Sequence, residues 1–60
     1  MDEAAGLAKL RHDVANPLAA LLAEAQLLLM EPGKLAPEVV SSLKTIEAQA
    51  LKIRTLLRTL

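Results

Sequence analysis

One side chain in this sequence stands out for nucleophilic chemistry: the imidazole of His12, the single histidine of 60 residues that include no cysteine. An imidazole nitrogen is a competent nucleophile near neutral pH when it is unprotonated. Its neighbours are polar and close: Asp13 follows directly and Asn16 comes four residues later, just before Pro17. A lone histidine without thiolates cannot assemble the three or four nitrogen and sulfur ligands of a zinc site. The chemistry open to His12 is therefore covalent or acid–base.

The rest of the composition narrows the partners. Seven Lys and Arg balance seven Asp and Glu, so the basic surface that releases counterions from nucleic-acid phosphates is missing. Phe, Tyr and Trp are all absent, which removes the platforms on which bases stack. No apolar run, that of Leu27 to Met30 included, is nearly long enough to cross a bilayer. Met1-Asp2-Glu3 is acidic and lacks the basic start of a signal peptide. The expectation is a cytoplasmic protein, with no nucleic-acid partner and no direct membrane contact.

The elements that must hold His12 are helices. Leu occurs 14 times and Ala 11 times, both strong helix formers, and no alternating strand pattern appears. Glu31-Pro32-Gly33-Lys34 carries a turn signal, and Pro37 suits the first turn of a new helix. The spacing predicts helix 1 over about 3–30 and helix 2 over about 37–59, with Asp2 and Glu3 opening the first and Arg54 and Arg58 closing the second. In helix 2, Val39, Leu43, Ile46, Ala50, Ile53, Leu57 and Leu60 form an unbroken heptad seam. Leu51 and Leu56 widen it toward a second neighbour. In helix 1 the stripe is Leu7, Leu10, Val14, Leu18, Leu21, Ala25 and Leu28, broadened by Leu22 and Leu29. Pro17 interrupts it. Proline removes a hydrogen bond inside a helix and clashes with the carbonyl four residues back, that of Asp13, so a kink is expected there.

Sixty residues make a marginal core, burying only about 60% of the surface of the unfolded chain. Two wide seams on two helices resolve this if two antiparallel hairpins share a core. The expected fold is all-α: a helical hairpin that dimerises into a four-helix bundle. Leu43, Ile46, Ala50, Ile53 and Leu57 are its candidate dimer core.

At about 100° per residue, His12 falls roughly 150° from the centre of the helix 1 stripe, with Asn16 beside it and Asp13 on the flank. Further along that outward side come Ala19, Ala20, Ala23 and Leu27, where a solvated face would carry Lys and Glu. Small and apolar residues facing outward suit a docking protein. An exposed histidine or an alanine-rich face is ordinary when taken singly. A mid-helix proline is not, because it costs stability without local benefit.

The segment His12-Asp13-Val14-Ala15-Asn16-Pro17-Leu18 resembles the H-box of sensor histidine kinases: His, an acidic residue, an aliphatic residue, a variable one, Asn or Thr, Pro, then Leu. With a turn and a second amphipathic helix after it, the whole chain is similar to the dimerisation and histidine-phosphotransfer domain of that family. The resemblance implies that His12 is the phosphoacceptor, attacking the γ-phosphoryl of ATP, and that Asp13 hydrogen-bonds the other ring nitrogen to orient and activate it. It implies that Asn16 positions a water for dephosphorylating the partner and that Pro17 is a hinge. Ala19, Ala20, Ala23 and Leu27 would contact the receiver domain of a response regulator, whose aspartate takes the phosphoryl group. Lys9 and Arg11 bracket the site, read first as solvated charges and otherwise as cations that favour an incoming phosphate. The partners implied are a second copy of the chain, the ATP-binding catalytic domain of the same kinase and the receiver domain.

The chain departs from the family pattern in three ways. Arg11 stands where small residues such as Ser are common and is expected to pack its stem near the bundle boundary. The upstream aromatic residue is absent, and the acidic residue is Asp rather than the commoner Glu. No Gly-rich ATP lid or asparagine-bearing nucleotide box occurs before Leu60. Residues 1–60 are thus expected to be one domain of a larger kinase, holding no cofactor, with ATP and Mg bound by a separate catalytic domain. Two other readings stay open: a stand-alone histidine phosphotransfer protein, and a purely structural dimeric hairpin.

Overall fold

The computed structural model describes residues 3–60. Asp2, expected to open the first helix, lies outside them. Helix α1 runs Glu3–Leu29, a 3₁₀ turn spans Pro32–Lys34, and helix α2 runs Pro37–Leu57. The two helices pack antiparallel as a hairpin, and no strand occurs among the described residues.

Local chemistry sets each boundary. α1 continues through Pro17, so the proline does not break it. At the turn, the Lys34 and Leu35 amides donate to the carbonyls of Glu31 and Pro32, both at 3.1 Å. Lys34 Nζ also pairs with Glu31 at 2.7 Å. No described residue has a positive φ, so Gly33 does not use its left-handed freedom and the reversal is a single 3₁₀ turn. Ala36 is extended at φ −62°, ψ 145°, as a residue before proline prefers. Pro37 then starts α2 with its φ already set. α2 ends at Leu57, two residues short of the expected limit. The amides of Arg58, Thr59 and Leu60 each bond a carbonyl three residues back, and the Thr59 hydroxyl donates to Leu56 O at 2.7 Å. The last turn is thereby tightened out of α geometry.

Four side chains are buried among the described residues: Leu18 (7% exposed), Leu22 (5%), Ala25 (4%) and Ala50 (5%). Leu18, Leu22 and Ala50 form one cluster, with Leu51 and Leu57 packed against it. The open end is held by Arg11, which is half-buried and donates from Nη1 to the carbonyl of Leu60 at 2.7 Å.

The helix 2 seam divides in two. Leu43, Ala50 and Leu57, seven apart, turn inward and are half-buried or buried. Val39, Ile46, Ile53 and Leu60, also seven apart, stay exposed, with Ile46 at 49% and Ile53 at 43%. α1 behaves alike: Leu18, Leu22 and Ala25 face α2, while Leu7, Leu10, Leu21 and Leu28 are open. The molecule measures 51 × 15 × 12 Å with a radius of gyration of 14.7 Å, against about 10 Å for a compact chain of this length. It is a rod with apolar rows of both helices uncovered.

Candidate functional site

His12 is exposed on α1. The helix fixes what its ring can reach. Residues four apart on a helix are neighbours, and Asn16 Nδ2 lies 3.4 Å from His12 Nε2. In this arrangement the amide N–H donates and Nε2 accepts. The ring proton then sits on Nδ1, and Nε2 carries the lone pair. At 3.4 Å the bond is near the long limit for hydrogen bonding, so it biases the ring rather than locking it.

Asp13 is engaged elsewhere. Its Oδ2 pairs with Lys9 Nζ at 3.5 Å, both side chains being more than half exposed, and no hydrogen bond joins it to the His12 ring among the described residues. An exposed i,i+4 pair is worth about 0.3–0.5 kcal/mol, so exchanging Lys9 for another partner costs Asp13 little. Pro17 is exposed. With no N–H of its own it leaves the Asp13 carbonyl without the usual donor.

The hydroxyls of Thr45 and Thr55 donate to the carbonyls of Ser41 and Leu51, at 3.2 and 3.1 Å, as hydroxyls within helices do. No group of three or more His, Cys, Asp or Glu among the described residues is placed to hold a metal ion.

Beside Asn16 opens a groove of about 450 Å³ between the helices. Ala15, Asn16, Leu18, Ala19, Leu22, Ala23 and Gln26 of α1 line it, with Arg54 of α2. It takes up half of the outward face singled out in the sequence. Ala19 and Ala23 line it. Ala20 and Leu27 are exposed but lie further round α1, away from α2. Sequence reasoning missed Gln26 and treated Arg54 as a flanking charge that closes helix 2. Only the hairpin register, which sets Arg54 opposite Asn16, brings that arginine to the groove.

The family model for the His Kinase A (phospho-acceptor) domain matches residues 6–60. The chain belongs to this family. No curated protein and no solved structure matches it. As a His Kinase A domain, it has the phosphoacceptor function of histidine kinases in two-component signalling. Domains of this family are parts of transferases and typically dimerise. No helix of the chain is long and apolar enough to cross a membrane.

The Asn16 contact generates a prediction. Nitrogen-15 NMR of the His12 ring should show Nε2 as the unprotonated nitrogen in the wild type. In Asn16→Ala the ring should shift toward the Nε2–H form. Identical ring shifts in the two proteins would mean that Asn16 does not select the tautomer.

Proposed function

We propose that this chain is the dimerisation and phosphoacceptor domain of a cytoplasmic kinase module: His12 Nε2 takes the γ-phosphoryl group of ATP and passes it to an aspartate of a response regulator. The observation that carries this reading is the exposed His12 with its Nε2 lone pair held toward Asn16, on a helix that continues through Pro17. ATP and Mg are supplied by a separate catalytic domain of the same kinase. The N–P bond forms as the bond from the γ-phosphorus to the bridging oxygen breaks, and ADP leaves. Such transfer asks for positioning and charge stabilisation more than for covalent help from the protein.

Each neighbour has a part in this scheme. Asp13 releases Lys9 and hydrogen-bonds Nδ1–H, which keeps Nε2 basic as charge develops on the ring. Asn16 leaves the ring and orients a water toward the regulator's acyl phosphate. Pro17 gives α1 the bend that separates the two activities. Ala19, Ala20, Ala23 and Leu27 lie on the side that the receiver domain approaches.

Surface arithmetic supports a second copy. The chain exposes 4699 Å², about 900 Å² more than a compact monomer of its mass. A standard protein interface removes about 800 Å² per partner. The open rows Leu7, Leu21 and Leu28, and Val39, Ile46, Ile53 and Leu60, keep a sevenfold period that suits the seam of a four-helix bundle.

Three measurements test this. With the cognate ATP-binding domain and labelled ATP, the wild type should incorporate phosphate and His12→Ala none; equal labelling would remove His12 as acceptor. In the full kinase, Asn16→Ala should dephosphorylate the phosphorylated regulator more slowly than the wild type, and an unchanged rate would end that assignment. Ile53→Glu should convert a dimer to a monomer with reduced helicity in sedimentation and circular dichroism. A folded wild-type monomer at micromolar concentration would refute the assembly.

A further inference from the structure

The groove beside His12 has an uneven chemistry. Its floor and walls are small or apolar: Ala15, Leu18, Ala19, Leu22 and Ala23. Among the described residues its one charged lining side chain is Arg54, which comes from the other helix and makes no ion pair or hydrogen bond. The remaining polar side chains are Asn16 and Gln26. Asn16 links this groove to the reactive ring, since its amide sits 3.4 Å from Nε2. On α1 the groove lies roughly 150° from the open row of Leu7, Leu21 and Leu28, at about 100° per residue. A second copy seated on that row leaves the groove free.

We propose that Arg54 is a specificity-determining residue for the phosphoryl acceptor: it contacts an acidic group on the rim of the receiver domain as that domain seats in the groove. This rests on the reading of the chain as a phosphoacceptor domain. The physical need is electrostatic. In the transfer step the N–P bond of phosphorylated His12 breaks while an O–P bond forms to the carboxylate of the acceptor aspartate. The bonding pair returns to Nε2, and the ring is left neutral with its proton on Nδ1. Two anions, a phosphoryl group and a carboxylate, must therefore approach each other. A cation on the groove wall offsets that repulsion during encounter and favours acidic partners over basic ones. The small alanines allow close approach of a helix, which puts the Arg54 guanidinium within reach of the visiting surface.

A purely structural role for Arg54 is the competing account. Its aliphatic stem could cover Leu18 and Leu22 while the head stays in water. Variants separate the two. The chain is phosphorylated at His12 with phosphoramidate, a chemical donor that bypasses the ATP-binding domain. Transfer is then followed to the receiver domain of the source organism that the wild type phosphorylates fastest, starting from equal amounts of phosphorylated protein. Arg54→Lys should transfer near the wild-type rate and Arg54→Gln several-fold more slowly. Arg54→Glu should be slower by roughly tenfold at low salt, with the gap closing as salt rises. Melting temperatures report the stem's packing separately, and Arg54→Gln keeps the test alive if Arg54→Glu does not fold. Transfer by Arg54→Gln and Arg54→Glu within about twofold of wild type, or a deficit indifferent to salt, overturns the role of Arg54 alone. A wild-type chain that passes phosphate to no receiver domain overturns the phosphoacceptor reading with it.

Discussion

The organisation of this molecule depends on one constraint: two helices of 27 and 21 residues cannot cover each other's apolar surface. Each helix meets its partner along one line of contact, and that line uses Leu18, Leu22, Ala25 and Ala50. The rest of the apolar stripe on each helix has nothing to pack on. The open rows repeat at sevenfold spacing, the pattern on which the proposed second hairpin packs. The thin core and the assembly are two views of the same shortage.

The same shortage places the chemistry. With one flank of α1 given to α2 and another to the open row, a single side remains for His12, Asn16, Ala19 and Ala23. On the proposed reading, the phosphoryl acceptor meets an ATP-binding domain and then a receiver domain, and has to be reachable in turn by both. The exposed side of a helix otherwise occupied by packing offers that access without opening the core. Arg54 of α2 lines the groove beside Asn16, so that groove is a property of the hairpin rather than of the H-box helix alone.

Much of this was legible in the sequence. The Pro37 start of α2, the turn near Pro32 and the solvent-facing position of His12 follow from local rules about proline and helical periodicity, while the kinship rests on the resemblance of residues 12–18 to the H-box. The division of the heptad seam into an inward row at Leu43, Ala50 and Leu57 and an open row at Val39, Ile46, Ile53 and Leu60 was not legible. Both rows have the same residue types and period, and only the way the helices face each other tells them apart. The pairing of Asp13 with Lys9 was hidden for a related reason, because a carboxylate between two basic positions and an imidazole has several partners of similar worth. Arg54 escaped notice because its meaning depends on the register between α1 and α2, a long-range quantity that no local pattern encodes.

The proline at position 17 has a mechanical consequence. A helix resists bending through its ladder of hydrogen bonds, and α1 has one rung missing, at the carbonyl of Asp13. A load applied along α1 is then not shared evenly. Compliance concentrates at the turn that carries His12 and Asp13, while the segment beyond Leu18 is stiffened by its packing on α2.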